Sequence, residues 1–133
     1  MKEERYFYVP NVTTNNQLPE EEAGHALRVL RLQSGDNMVL MDGKGTFYHA
    51  IVTLASHKKC LYEIQETLPQ EKTWSSQIHL AIAPTKNIDR IEWLAEKATE
   101  IGFNGLHFLD CANSERRVLK TERVEKIVVS AAK

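Results

Sequence analysis

The sequence predicts an α+β chain in two parts: a small β-rich domain, then the beginning of an α/β domain. Three observations predict it. From Asn37 to Leu68, short alternating apolar runs are separated by turn residues at intervals of roughly ten positions, the rhythm of a small barrel or half-barrel. After a polar stretch, Pro69 to Ser76, the rhythm changes to strand, helix, strand, helix, as in a parallel α/β sheet. That second part then stops with two strands and one crossover helix, too few elements to cover both faces of such a sheet. The expected domains are residues 1–72 and 73–133.

Each element has a local reason. Arg5 to Val9 is aromatic and β-branched, a strand that Pro10 stops. Leu18-Pro19-Glu20-Glu21-Glu22 opens a short helix, with a proline suited to a first turn and acids at the positive end of the dipole. Ala23, Ala26, Leu27 and Leu30 give that helix its apolar stripe, and Arg28 and Arg31 lie off it. Asn37 to Met41 is a strand, turned by Asp42-Gly43-Lys44-Gly45, where glycine supplies positive φ. Phe47 to Leu54 follows, with Tyr48, Ala50, Val52 and Leu54 on one face. Cys60 to Leu68 carries Cys60, Tyr62 and Ile64 on one face, and His57-Lys58-Lys59 is the polar connection.

In the second part Gln77 to Ala83 is a strand. Asn87 caps a helix whose stripe is Ile88, Ile91, Leu94, Ala95, Ala98 and Ile101, and Gly102 ends it. Gly105 to Asp110 is a second strand. Thr121 caps a last helix carrying Val124, Ile127, Val128 and Ala131.

Composition bounds the function. Of 133 residues, 42% are hydrophobic and 26% charged, ordinary for a globular protein. No apolar run approaches the roughly 20 residues a membrane span needs, and the mixed-charge start, Met1 to Arg5, is not a secretory signal; a cytoplasmic location is expected. Cys60 and Cys111 form no CxxC pair and are expected as buried, reduced thiols. The five histidines lack metal-ligand spacing, so no metal site is expected. A net charge of −1 excludes nucleic-acid binding through bulk charge; a local patch would have to do it.

Four groups could carry chemistry. Arg5, Arg28, Arg31 and Lys44, with Tyr6 and Tyr8, form a candidate phosphate-and-stacking set for RNA, or else solvated surface charge over core aromatics. Lys86 and Arg90 flank a strand exit and a helix start, where open α/β sheets bind ligands and anions. The row Glu92, Glu96, Glu100 is either solvated or met by basic groups from another element, with Lys97 reaching Glu100. Ser114-Glu115-Arg116-Arg117 lies past the second strand, where a guanidinium can hold a phosphate or base carbonyl, or make a loop salt bridge. No glycine-rich phosphate loop and no GxSxG elbow occurs.

These segments in order resemble one family. Arg5-Tyr6-Phe7-Tyr8-Val9-Pro10, then His25 to Leu32 with Gly35-Asp36, then Asp42-Gly43-Lys44-Gly45, then Lys86 through Gly102 with Asp89, Arg90, Glu92, Lys97, Thr99 and Glu100, then Asn113 to Arg116, are similar to the motifs of the RsmE methyltransferases. Ile101 stands where that family usually has leucine, and the region from Arg117 matches only loosely.

The resemblance implies a PUA-like RNA-binding barrel followed by a knotted SPOUT domain. It implies methyl transfer from S-adenosylmethionine to N3 of a uridine in 16S ribosomal RNA of the small subunit, by a homodimer. The family's Gly-Pro-Glu-Gly-Gly and Leu-Gly-x-Arg-Ile-Leu-Arg donor loops have no counterpart here, so the chain is expected to be the N-terminal half, inactive alone and without cofactor-binding residues. The implied roles are RNA binding for Arg5, Arg28, Arg31, Lys44, Lys86 and Arg90, and catalysis for Arg116, whose cation would favour the uracil anion. Two other readings stay open: a non-enzymatic RNA-binding module, and a small α/β protein that pairs with a separate subunit.

Overall fold

The computed structural model describes residues 3–71, 74–114, 116 and 118–133. The chain divides into two compact units, Met1–Thr73 and Trp74–Lys133. Lys72 and Thr73, where the domain boundary is expected, and Glu115 and Arg117 of the segment after the second α/β strand, lie outside the described residues.

The first unit is a four-stranded sheet in the order β1-β2-β3-β4: Tyr6–Tyr8, Asn37–Met41, Thr46–Ala55 and Cys60–Pro69. β1 runs parallel to β2, and the other neighbours are antiparallel. The expected barrel is, among the described residues, an open sheet. Chain around Gln17 lies along the outer edge of β4, where Gln17 bridges Leu61 and Leu18 N–H donates to Cys60 O at 2.9 Å. This gives the start of that edge partners without full closure, since Tyr62 N–H also donates to Asn16 O at 2.9 Å.

The core forms where the alternation requires it. Phe7 from β1, Met38 and Leu40 from β2, Tyr48, Ala50 and Val52 from β3, and Cys60 and Tyr62 from β4 are buried together with Val9, Val12, Leu18, Ala23, Ala26 and Leu32. Leu54 breaks the expected face and is 47% exposed. The register shifts between Val52 and Leu54, so the extra residue, Thr53, reverses which side the following residues face.

The helix between β1 and β2 is shorter and less regular than its stripe implies. α1 spans Glu20–Gly24, with Pro19 at its cap, and widens into a π-helical turn over His25–Val29. Leu30 N–H donates to His25 O at 3.1 Å, and Leu32 N–H to Ala26 O at 2.9 Å. Ala23 and Ala26 are still buried, and Arg28 and Arg31 still point to solvent. Arg31 ends the turn with φ +52°, the one non-glycine with positive φ among the described residues.

In the second unit β5, His79–Ile82, pairs in parallel with β6, Gly105–Phe108. α2, Ile88–Ile101, connects them, and α3, Thr121–Ala132, follows. Ile91, Ala95 and Val124 are buried, with Ile82, Leu106, Phe108, Ile127 and Val128 packed around them. Both helices therefore cover one face of the two strands. His79, Ala81 and His107 on the other face are exposed.

The Asn87 side chain caps α2, accepting from Asp89 N–H at 3.0 Å, and Gly102 ends the helix at φ +108°. Two expectations are corrected here. Ile101 is 77% exposed, because the stripe drifts off the buried face in the last turn. Thr121 does not cap α3; Lys120 holds that position, in extended geometry and without a side-chain cap bond.

Candidate RNA interface and strand-exit cleft

Within the first unit the predicted cations separate. Arg28 and Arg31 line a cleft of about 490 Å³ together with Gln33, Ser34, Ser56, His57 and Lys58, and no carboxylate is among the described residues that line it. Arg31 also borders a second cleft of about 620 Å³, which holds Arg5 beside Glu3, Glu4 and Asp36. Arg5 thus lies in a mixed-charge setting, and its own carbonyl accepts from Val39 N–H at 2.9 Å.

Lys44 is elsewhere. It sits in the turn before β3, whereas the His57-Lys58 turn follows β3, and ten residues of strand separate them by roughly 30 Å. Arg28, Arg31 and Lys44 cannot meet one phosphate. The Lys44 turn is fixed by Asp42, whose Oδ1 accepts from Lys44 N–H at 2.7 Å and Thr46 N–H at 3.2 Å.

The aromatic partners are structured too. Tyr6 and Phe47 meet edge to face at 6.0 Å, and the Tyr6 hydroxyl donates to Glu4 at 2.5 Å. That bond to a carboxylate, with a smaller contribution from burial, raises the phenol above its ordinary pKa. Tyr8 packs its ring over Gly43, where a Cβ would lie 2.9 Å from the Tyr8 Cε2 atom. Only glycine fits at that turn, both for this approach and for φ +75°.

In the second unit a depression of about 440 Å³ opens past the strand ends, lined by Ala83, Pro84, Thr85, Lys86, Cys111, Asn113 and Ser114. Arg116 spans the two loops that form it. Its Nε donates to Thr85 O at 3.0 Å, and its Nη2 donates to Lys86 O at 2.7 Å. Two of the five guanidinium N–H groups are therefore committed to backbone carbonyls. The loop after β6 is closed by Ser114 N–H to Cys111 O at 3.0 Å and by Cys111 N–H to Ser114 Oγ at 3.1 Å.

Lys86 lines the depression; Arg90, exposed in the first turn of α2, does not. Cys111 is exposed, contrary to the expected burial, because it lies in this loop and not on β6. Cys60 is buried as expected, and burial raises its thiol above the ordinary range.

Three features were not singled out from sequence. His57 and Lys58 complete the acid-free cleft; a signal existed, since a hairpin tip carried two basic residues instead of turn formers. Arg123 on α3, which no motif marks, pairs with Glu92; of the two readings of the acidic row, a basic group from another element holds for Glu92, while Glu96 and Glu100 lie beside Lys97. His79 Nδ1 and His107 Nε2 lie 3.0 Å apart on the exposed face of β5 and β6, a proximity that strand register alone creates. Among the described residues no group of three or more potential ligands gathers into a metal site, and no helix is long and apolar enough to cross a membrane.

Comparison with known proteins agrees with this architecture. Residues 18–65 match the RNA methyltransferase PUA domain family, and residues 72–133 match the RNA methyltransferase domain family. A probable rRNA-methyltransferase from Porphyromonas gingivalis is similar over 96% of this chain and 53% of its own, at 43% identity and TM-score 0.88. A ribosomal RNA small subunit methyltransferase E from Neisseria gonorrhoeae, bound to S-adenosyl methionine, is similar over 97% of this chain and 55% of its own, at 26% identity and TM-score 0.78. A predicted RNA methyltransferase from Thermotoga maritima is similar at 26% identity and TM-score 0.77, over 96% of this chain and 59% of its own. The chain thus spans between half and three fifths of the length of these relatives. It belongs to the family of RNA methyltransferases, RsmE among them, that join a PUA domain to a methyltransferase domain.

Proposed function

We propose that this chain is the RNA-binding and substrate-side portion of an enzyme that methylates N3 of a uridine in small-subunit ribosomal RNA. In this reading the methyl donor is S-adenosylmethionine and the working unit is a cytoplasmic homodimer. The observation that carries the proposal is the succession of the two domains on one chain, at 43% identity to an rRNA-methyltransferase.

Among the described residues that line the strand-exit depression there is no carboxylate for a ribose diol, no aromatic ring for an adenine and no glycine. What this chain supplies is substrate handling. Arg28 and Arg31 hold phosphates through charge and shape, since phosphate contacts position an RNA without reading its bases. Lys86 and Arg90 extend positive charge along the second unit, with Arg5 and Lys44 as outlying contacts of the first.

Arg116 fixes the separation of the two strand-exit loops through its bonds to Thr85 O and Lys86 O. A uridine modified at N3 has to release its N3 proton, and the resulting charge spreads over O2 and O4. A guanidinium held in place beside that position stabilises the anion without reorganising at the moment of reaction.

Deleting the gene for this chain tests the proposal. N3-methyluridine blocks Watson–Crick pairing and stops reverse transcriptase, so deletion should remove one such stop from small-subunit rRNA. An unchanged stop pattern together with unchanged N3-methyluridine content would overturn it.

A further inference from the structure

We propose that the cleft between the π-helical turn and the β3–β4 hairpin is a clamp for RNA phosphodiesters, in which His57 and Lys58 act with Arg28 and Arg31. The inference rests on the RNA-binding reading above and adds the second jaw of the clamp.

Charge is the first support. Arg28 and Arg31 come from one side of the cleft, Lys58 and His57 from the other, and no carboxylate is among the described residues that line it. In a chain of net charge −1 this is a local concentration of cations, the arrangement that a phosphate backbone favours. The adjacent cleft, where Glu3, Glu4 and Asp36 stand beside Arg5 and Arg31, has no such excess of positive charge.

The backbone at Arg31 is the second. Its φ of +52° is a conformation in which glycine is the favoured residue after a helix. An arginine there holds its guanidinium on the cleft against local preference, and it directly follows a π-helical turn, a feature frequent at functional sites.

The hairpin tip is the third. Ser56 N–H donates to Lys59 O at 3.0 Å and Lys59 N–H to Ser56 O at 3.2 Å, which leaves His57 and Lys58 as the two loop residues. Two-residue hairpin loops favour Asn-Gly or a glycine, and here both places carry exposed N–H donors. The two jaws are tied together, because Ser34 Oγ donates to Thr53 O at 3.0 Å and Gly35 N–H to Val52 O at 2.8 Å.

Fluorescence anisotropy of the 133-residue chain with a labelled oligouridylate, repeated over a salt series, tests the clamp. The His57→Ala/Lys58→Ala variant should bind about tenfold more weakly at low salt, with the salt slope reduced by roughly 0.7 to 1.4. Arg31→Gly should remain folded, with a thermal midpoint at or above the parent's, and still bind several-fold more weakly. Lys120→Ala, which removes the same charge outside the clamp, should bind as the parent does.

Parental affinity and slope for His57→Ala/Lys58→Ala would overturn the clamp. If Arg28→Ala/Arg31→Ala were weakened in that same series, the RNA-binding reading would survive it. Failure of the parent chain to bind the oligouridylate at low salt would remove both. Displacement of the RNA by oligoglutamate at equal charge would also overturn the clamp, and would assign the cleft to acidic peptides.

Discussion

Tyr62 shows how one side chain can hold a loop that has no regular structure. Its ring is 4% exposed, and its single hydroxyl proton is placed between Val12 O at 3.0 Å and Asn15 O at 2.8 Å. The connection after β1 is thereby pinned to β4. Burial raises the phenol above its ordinary pKa of 10.0, so the unfolded chain loses that proton first. The stability this group contributes is fully present below about pH 10 and is lost as pH rises through the folded value. Tyr62→Phe should lower stability by about 1 kcal/mol at neutral pH. It should also flatten part of the alkaline loss, read from thermal melts on either side of pH 10 or so. An alkaline slope identical to the parent's would contradict this.

At the same scale, alternation made Tyr48, Ala50, Val52, Cys60 and Tyr62 legible as core, since a period of two needs only local information. Leu54 was not legible, because the extra residue at Thr53 depends on how two strands pair. Nor was the bracing by Arg116, whose acceptors Thr85 and Lys86 are about thirty residues away in the chain.

Among the elements, α2 bears most of the second unit's organisation. It starts at the Asn87 cap, ends at Gly102, buries Ile91 and Ala95, and binds α3 through Glu92 and Arg123. The ion pair is worth little on its own, since the Arg123 side chain is 68% exposed. The cap satisfies an N–H group that nothing else in the helix can reach. Asn87→Ala should therefore destabilise the chain by about 1 kcal/mol, seen as a lowered midpoint in urea with an unchanged slope.

Start and stop signals made this helix readable in advance, because caps act within a few residues. The widening of α1 into a π-helical turn carried no comparable signal. Its i to i−5 bond, Leu30 N–H to His25 O, accompanies the burial of Ala26 and Leu32 in a core built from residues distant in the chain.

For the whole chain, the two domains were legible because their patterns change period, from two to a mixture of two and 3.6. Pooling Arg5, Arg28, Arg31 and Lys44 into one surface could not be tested by period, and the sheet distributes them between two clefts and a distant turn. The chain spans 53% of its Porphyromonas gingivalis relative. Because the described residues lining the strand-exit depression include no aromatic ring, carboxylate or glycine, calorimetry should detect no binding of S-adenosylmethionine to these 133 residues. Tight binding would place the donor site in this chain after all.

The guanidinium of Arg116 has a kinetic corollary. Its two bonds need β5, α2 and β6 already in place, so Arg116→Ala is expected to unfold faster while folding at nearly the parent's rate, read from denaturant-jump kinetics. Such a late fastening slows unravelling and leaves the speed of folding nearly untouched. The mouth of the second unit is thus held by a latch whose expected effect falls on the lifetime of the folded state.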